Sequence, residues 1–314
     1  MARNTGALGR CPLLLLPVLA ALFSGCGRES ALAYLKEGEV YLWEPGADEP
    51  RPLARRDDVD AFFWSPSGRH LAYRVTKPFG ESFWCFTGVD TGVEVKTRTE
   101  PLFSSAGRTV AYIKERERQL VLLDEVGGEQ RVIAEWVASA RWNPAGTRLA
   151  YVEDGDLKVF DLDDGASLYL TGGVTGEPDF VTDDLVLFFD EDGTLGAARS
   201  DGGAVYRLAE GVSAYHPARD LSGRVRGTRL VCVDRDRDAY LMDFDGVGQS
   251  RTGTHFYRMA WDETGSRFFL IEEKEEGMFA RVFAASGERL LELKEPWDAA
   301  AADSLAWGSG ELAY

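Results

Sequence analysis

Three histidines, His70, His216 and His255, and the acidic run Asp234-x-Asp236-x-Asp238 are the side chains whose types and spacing could do chemistry here. Neutral imidazoles hold a transition metal when a carboxylate or a third histidine joins them. His216 and His255 read as lying one repeat apart in equivalent links, so a two-histidine metal site is one reading and ordinary polar or stacking roles are the other. The acidic run opens like a calcium loop. Its sixth position is Ala239 where such a loop needs glycine, and its twelfth is Asp245 instead of glutamate, so a solvated charged loop is the preferred reading. His70 follows a turn glycine at the start of a strand and is expected to be exposed. Nucleophile elbow, phosphate loop, His-Glu-x-x-His and Cys-x-x-Cys patterns are all missing from the sequence. No catalytic set and no cofactor is therefore expected.

The elements that must position these side chains repeat. Phe63-Trp64-Ser65-Pro66-Ser67-Gly68-Arg69-His70-Leu71-Ala72-Tyr73 recurs as Leu102 to Tyr112 and again as Arg141-Trp142-Asn143-Pro144-Ala145-Gly146-Thr147-Arg148-Leu149-Ala150-Tyr151. Phe180 to Phe189 is a weaker copy with Asp184 at the turn glycine. Gly227 to Cys232 repeats only the second half, Trp261 to Leu270 is a clear copy, and Leu305 to Tyr314 is a shortened one. An aromatic ends one strand, Pro and Gly make a tight turn, and an apolar β-forming run leads away. Between copies lies a second hairpin, for instance Leu157-Lys158-Val159-Phe160 with Asp163-Asp164-Gly165 after it. Four short strands per unit of about 40 residues is the period of a propeller blade. The expected fold is all-β: a seven-bladed β-propeller over residues 31–314, with both chain ends sharing one blade.

Strands before the turns should be innermost, with the turns on one face and the links on the other. The links differ from one another and carry Phe79, Arg116, Arg118, Trp136, Tyr215, His216, Arg235, Arg237, His255, Tyr257 and Trp297. Aromatic and arginine side chains are the usual anchors of interfaces. The link face is therefore expected to bind a protein or peptide partner. The alternative is an enzyme, small-ligand or metal site at the channel, using His216, His255 and loop carboxylates.

Ahead of the repeats, a basic start (Arg3, Arg10) leads into an apolar run, Pro12 to Phe23, and then Ser24-Gly25-Cys26. That is the pattern of a secretory signal, too short to span a bilayer. The Phe-Ser-Gly-Cys ending resembles a bacterial lipoprotein processing site. The resemblance implies removal of residues 1–25, lipid on Cys26, residues 26–30 as a tether, and an extracytoplasmic place in the cell envelope, at the outer membrane or cell surface. The turn-plus-Leu-Ala-Tyr pattern in turn resembles the WD-like repeats of the TolB propeller and the propellers of prolyl-oligopeptidase-type enzymes. This implies the fold; the helical domain of TolB and the hydrolase domain of the peptidases have no counterpart in these residues.

A formal charge of −17 argues against nucleic acid or anionic lipid headgroups as partners. Loss of Arg3 and Arg10 with the leader makes the body more acidic still. A monomeric propeller is expected. Cys85 and Cys232 lie in apolar strand-like runs and read as buried thiols.

Overall fold

The computed structural model describes residues 20–22, 31–44, 46–54, 58–88, 94–97, 99–105, 107, 109–114, 117–124, 129–219, 224–293, 306–307 and 312–313. Cys26, Arg116 and Trp297 lie outside them. The described residues are all-β, with no helix, and seven four-stranded antiparallel sheets follow one another along the chain. This is the seven-bladed β-propeller architecture.

Residues 1–100 form one compact unit and residues 101–314 a second. The first holds a sheet of β1 (Ala20–Leu22), β2 (Leu32–Lys36), β3 (Glu39–Trp43) and β4 (Arg51–Ala54). Its other sheet is β5 (Val59–Trp64), β6 (His70–Thr76), β7 (Ser82–Gly88) and β8 (Glu94–Thr97). The second unit holds five such sheets. They are β9 (Leu102–Phe103), β10 (Thr109–Ile113), β11 (Leu120–Asp124) and β12 (Gln130–Ala134); then β13 (Val137–Trp142), β14 (Arg148–Glu153), β15 (Asp156–Asp161) and β16 (Ala166–Thr171). Next come β17 (Val174–Phe180), β18 (Leu185–Asp190), β19 (Leu195–Arg199) and β20 (Val205–Ala209), followed by β21 (Val212–Arg219), β22 (Val225–Asp234), β23 (Ala239–Asp243) and β24 (Ser250–Gly253). The last is β25 (Phe256–Trp261), β26 (Arg267–Lys274), β27 (Gly277–Ala284) and β28 (Arg289–Glu292). A two-stranded hairpin, β29 (Ala306–Trp307) and β30 (Leu312–Ala313), follows.

The repeated turn closes through a buried polar residue that the sequence pattern places right after the aromatic. Ser65 Oγ accepts the His70 amide at 3.0 Å. Asn143 Oδ1 accepts the amides of Thr147 and Arg148 at 2.8 and 2.9 Å. Asp262 Oδ1 accepts Ser266 N at 2.9 Å. Each of these side chains is buried, so its hydrogen bonds replace those it would make to water. Gly265 ends its turn at φ 67°, and a Cβ there would come within 2.7 Å of the Arg226 Cβ and 2.9 Å of the Arg226 carbonyl oxygen. Only glycine fits both the backbone and the space.

Apolar clusters form between successive sheets. One joins Ala111, Leu120 and Leu122 to Leu149, Tyr151 and Phe160. Another joins Val231, Ala239 and Leu241 to Phe268, Leu270 and Phe283. In the first unit, Ala33, Val40 and Leu42 pack with Val59, Tyr73 and Cys85. Tyr73 and Tyr151 of the Leu-Ala-Tyr pattern are fully buried, and each hydroxyl finds a polar partner on the outer strand: Ser167 Oγ at 2.8 Å for Tyr151, and the Glu94 carboxylate for Tyr73. The indoles of Trp142 and Trp261 donate to the carbonyls of Leu102 and His216, on the preceding sheet, at 2.9 and 3.0 Å.

On the link side a backbone stitch recurs. The first amide of a sheet donates to the preceding sheet's second hairpin: Val137 N to Arg118 O, Val174 N to Gly155 O, Phe256 N to Arg237 O. That hairpin in turn donates to the link residue of its own sheet, as in Glu191 N to Gly173 O, Arg235 N to Gly211 O and Glu273 N to His255 O. The link residue takes positive φ each time: Gly173 and Gly211, but also Trp136 and His255. A non-glycine residue there costs about 1 kcal/mol. Gly211→Ala, with open space around the new Cβ, is therefore expected to lower stability by about 1 kcal/mol. Trp136→Gly is expected to leave stability unchanged or raise it by up to about 1 kcal/mol. Urea unfolding midpoints of the two variants check both signs.

Three expectations are corrected. His70 is buried, not exposed; its cross-strand neighbour is Gly88, which offers no side chain and leaves room for the ring. Tyr215 and His216 lie inside β21, not in a link, so His216 and His255 are not equivalent; the link counterpart of His255 is Gly211. The partner of β2 also differs from the expected one: among the described residues β2 pairs with Ala20–Leu22, and β30 pairs with β29. The leader strand fills the open edge of β2 with antiparallel hydrogen bonds that a free edge lacks. Cys85 and Cys232 are both buried thiols outside any disulfide, as expected. Burial pushes the Cys232 thiol up to about 12, which keeps it protonated.

Candidate functional site

In the second unit a cavity of about 470 Å³ opens among the edge strands β13, β17, β21 and β25, towards the ends where their turns begin. That volume is in the range of ligand pockets. Arg141, Asp179, Arg219 and His216 supply its chemistry, with Pro178, Pro217, Met259 and Trp261 as apolar wall and Glu177 exposed at the rim.

Irregular strands build it. Between Thr175 and Asp179 the pairing of β17 with β18 slips, so Gly176-Glu177-Pro178 bulges out. Gly176 takes φ 78°, and its carbonyl is held by Ser139 Oγ at 2.8 Å. β21 slips likewise between Pro217 and Arg219. Proline is tolerated because both are edge strands, and bulges of this kind re-aim side chains. Here the bulge precedes Asp179 and the slip precedes Arg219, and the two side chains meet.

Arg219 Nη2 donates to both Asp179 oxygens, at 2.6 and 2.5 Å. Arg141 Nε stands 3.4 Å from Asp179 Oδ1, and half of the Arg141 side chain stays exposed. Burial, with help from the Asp179 charge, pushes the Tyr215 phenol up, so it stays protonated; its ring packs at 5.5 Å from Phe189. Burial pushes His216 below the ordinary histidine value, so its imidazole is neutral at pH 7. The ring stacks on Phe256 at 5.6 Å, and Nε2 is buried with no hydrogen-bond partner. A buried unsatisfied nitrogen costs about 1–3 kcal/mol. The Trp261 indole is already spent on the His216 carbonyl. The phenol is thus protonated, the imidazole is neutral without a hydrogen-bonded base or acid, and the carboxylate is locked by arginine.

Of the residues singled out from the sequence, only Tyr215 and His216 line this cavity. Trp136 and His255 sit in links, and Trp136 is 62% exposed. Phe79 is 98% exposed at a turn of the first unit. Arg118 holds the Val137 amide through its carbonyl. Arg237 donates to Phe256 O and pairs with Glu273, and Arg235 reaches Asp192 O at 3.4 Å, so both clasp neighbouring sheets. Tyr257 packs against the Phe269–Ile271–Val282 cluster. Asp234 Oδ1 accepts the amides of Asp236 and Asp238, and Asp238 pairs with Arg251, so this run folds as a self-capped turn. No group of three or more His, Cys, Asp or Glu converges among the described residues. Sequence reading missed Arg141, Asp179 and Arg219. The available signal was proline in two innermost-strand positions, Pro178 and Pro217, which marks an interrupted ladder.

Among solved structures the chain is similar to a prolyl endopeptidase, at 13% identity and a TM-score of 0.48, over 90% of this chain and 48% of that one. It is similar to prolyl oligopeptidase B from Galerina marginata at 13% identity and 0.49, over 85% and 49% of the two chains. Hsv2 of Kluyveromyces lactis gives 10% and 0.46, over 81% and 89%. The chain thus spans about half the length of the two peptidases. No family model and no curated protein matches it.

Proposed function

We propose that this chain is a binding scaffold of the bacterial envelope: a propeller held to the membrane by lipid on Cys26 and taking a protein or peptide segment from the extracytoplasmic side. The observation that carries the binding reading is the cavity beside Asp179. Two arginines, a neutral buried imidazole and apolar walls converge there around a strand bulge, with no acid–base pair to run a reaction. Among the described first strands only β17 and β21 slip in the residues just before the turn, and such local departures from a repeat gather at functional sites. The sequence placed the partner on the link face; the geometry favours the turn-side cavity. Its volume also suits a free small ligand, which is the second reading.

A photo-crosslinking residue at Glu177, in the lipidated full chain in membranes, tests this. A discrete protein or peptide adduct at Glu177, absent when the crosslinker is at Asp163 on another sheet, is the expected result. Adducts at both positions alike, or at neither, would count against the site.

A further inference from the structure

We infer that the turn-side cavity of the second unit is a carboxylate site, in which Arg141 pairs an acidic group carried on an apolar peptide segment. The inference rests on the binding reading above and names the chemistry of what binds. Asp179 is already satisfied: Arg219 holds both of its oxygens. Arg141 meets the same carboxylate only at 3.4 Å through Nε, and half of its side chain remains exposed at the cavity. Its guanidinium is thus oriented by Asp179 without being consumed by it. A planar fork of N–H donors in that state matches an incoming carboxylate, and charge-assisted bonds of this kind are the strong ones.

The surroundings choose among anions. One incompletely paired cation stands in the cavity, with Glu177 at the rim of a chain whose net charge is −17. A monoanion is tolerated; a phosphate dianion meets repulsion with no second free cation to offset it. Burial keeps His216 neutral, and its partnerless Nε2 offers the second polar contact. Pro178, Pro217 and Met259 line the remainder, which suits the aliphatic or aromatic residue next to the acidic group. The acidic group has two sources in a peptide, a chain-terminal carboxylate or an Asp or Glu side chain.

Binding of short fluorescent peptides to the full lipidated chain in detergent separates them. The probes are a Leu-Phe peptide with a free C-terminus, the same peptide amidated, an amidated Leu-Glu-Phe and an amidated Leu-Gln-Phe; inorganic phosphate serves as competitor. At least one acidic form is expected to bind about tenfold tighter than its neutral partner, since each tenfold step is only one good charge-assisted contact. Whichever acidic form wins identifies the source. Arg141→Gln should remove the preference with an unchanged melting temperature, because that side chain is half exposed. Glu177→Gln should tighten the acidic form a few-fold. Equal affinity for acidic and neutral forms, no measurable binding of any form, displacement by equimolar phosphate, or an undiminished preference in Arg141→Gln would each overturn the inference. Crosslinking at Glu177 together with equal affinities would overturn the carboxylate assignment and leave the binding reading standing.

Discussion

Replacing Arg281 by methionine is expected to cost the second unit about 3 kcal/mol of stability. Glu272 lies on β26 with no solvent exposure, and a buried carboxylate is retained only where charge and hydrogen bonds replace its water. Arg281 Nη1 stands 2.9 Å from Glu272 Oε2 without hydrogen-bond alignment, so it balances the carboxylate as a charge, and the Thr254 amide donates to Oε1 at 2.7 Å. Lys274 is a third, looser partner at 3.6 Å. Arg281 also holds Glu292 at 2.9 Å, which ties β27 to β28. Without the guanidinium, the carboxylate keeps one amide and one distant ammonium. The loss falls at the lower end of the 3–5 kcal/mol seen for broken buried pairs because Lys274 remains. Removing both charges, as Glu272→Met with Arg281→Met, should recover most of the deficit, since a well-packed apolar pair leaves no charge stranded. Urea unfolding of Arg281→Met, Glu272→Met and the double variant reads the cycle. A double variant as unstable as Arg281→Met would show that shape, not charge, is what the pair provides.

How much of this molecule was legible beforehand follows from where its repeats are faithful. Ser65, Ser104, Asn143 and Asp262 differ in type, yet all occupy one buried position of one turn. Turn chemistry acts over five residues, so a single sequence displays it in full. The tyrosines and tryptophans were legible where the repeat is faithful, as at Tyr73 and Tyr151 or at Trp142 and Trp261, whose partners recur at corresponding places. The site was illegible because it is made where the repeat fails. The copy from Phe180 to Phe189 lost its turn glycine, and the copy ending at Cys232 kept only its second half. Their first strands are β17 and β21, which slip register just before the turn and carry Asp179 and Arg219, whereas β5, β13 and β25 slip only at their starts. A register slip is a tertiary event. In β17 the bulged Gly176 carbonyl is held by Ser139 of the neighbouring sheet, a contact that repeat spacing does not encode; Pro178 and Pro217 marked only that the ladder breaks. The degenerate copies were therefore the strongest pointer to function, although as evidence for the fold they were the weakest.

The same logic bears on the anchor. If Cys26 carries lipid, exporting residues 27–314 behind an ordinary cleavable secretory leader is expected to move the protein entirely from the membrane pellet to the soluble extracytoplasmic fraction. Lipidation contributes about 0.8 kcal/mol for each buried methylene, so two or more chains hold a protein firmly and none leaves nothing equivalent. The full chain's net charge of −17 disfavours anionic headgroups as an alternative attachment. No helix among the described residues is long and apolar enough to cross a membrane. Fatty-acid labelling of the natural form, absent in the re-targeted one, should accompany the shift; retention of the unlipidated form in a carbonate-washed pellet would overturn the assignment. The proposed processing would have a structural consequence. Ala20–Leu22 pairs with Leu32–Tyr34 in β2. Cutting before Cys26 would take that strand away and open a sheet edge, and open edges recruit other strands. Amide exchange at Leu32, Ala33 and Tyr34 should therefore be faster in the processed protein than in the precursor, unless another strand of the chain takes the vacated edge. Protection equal in both forms would identify such a replacement.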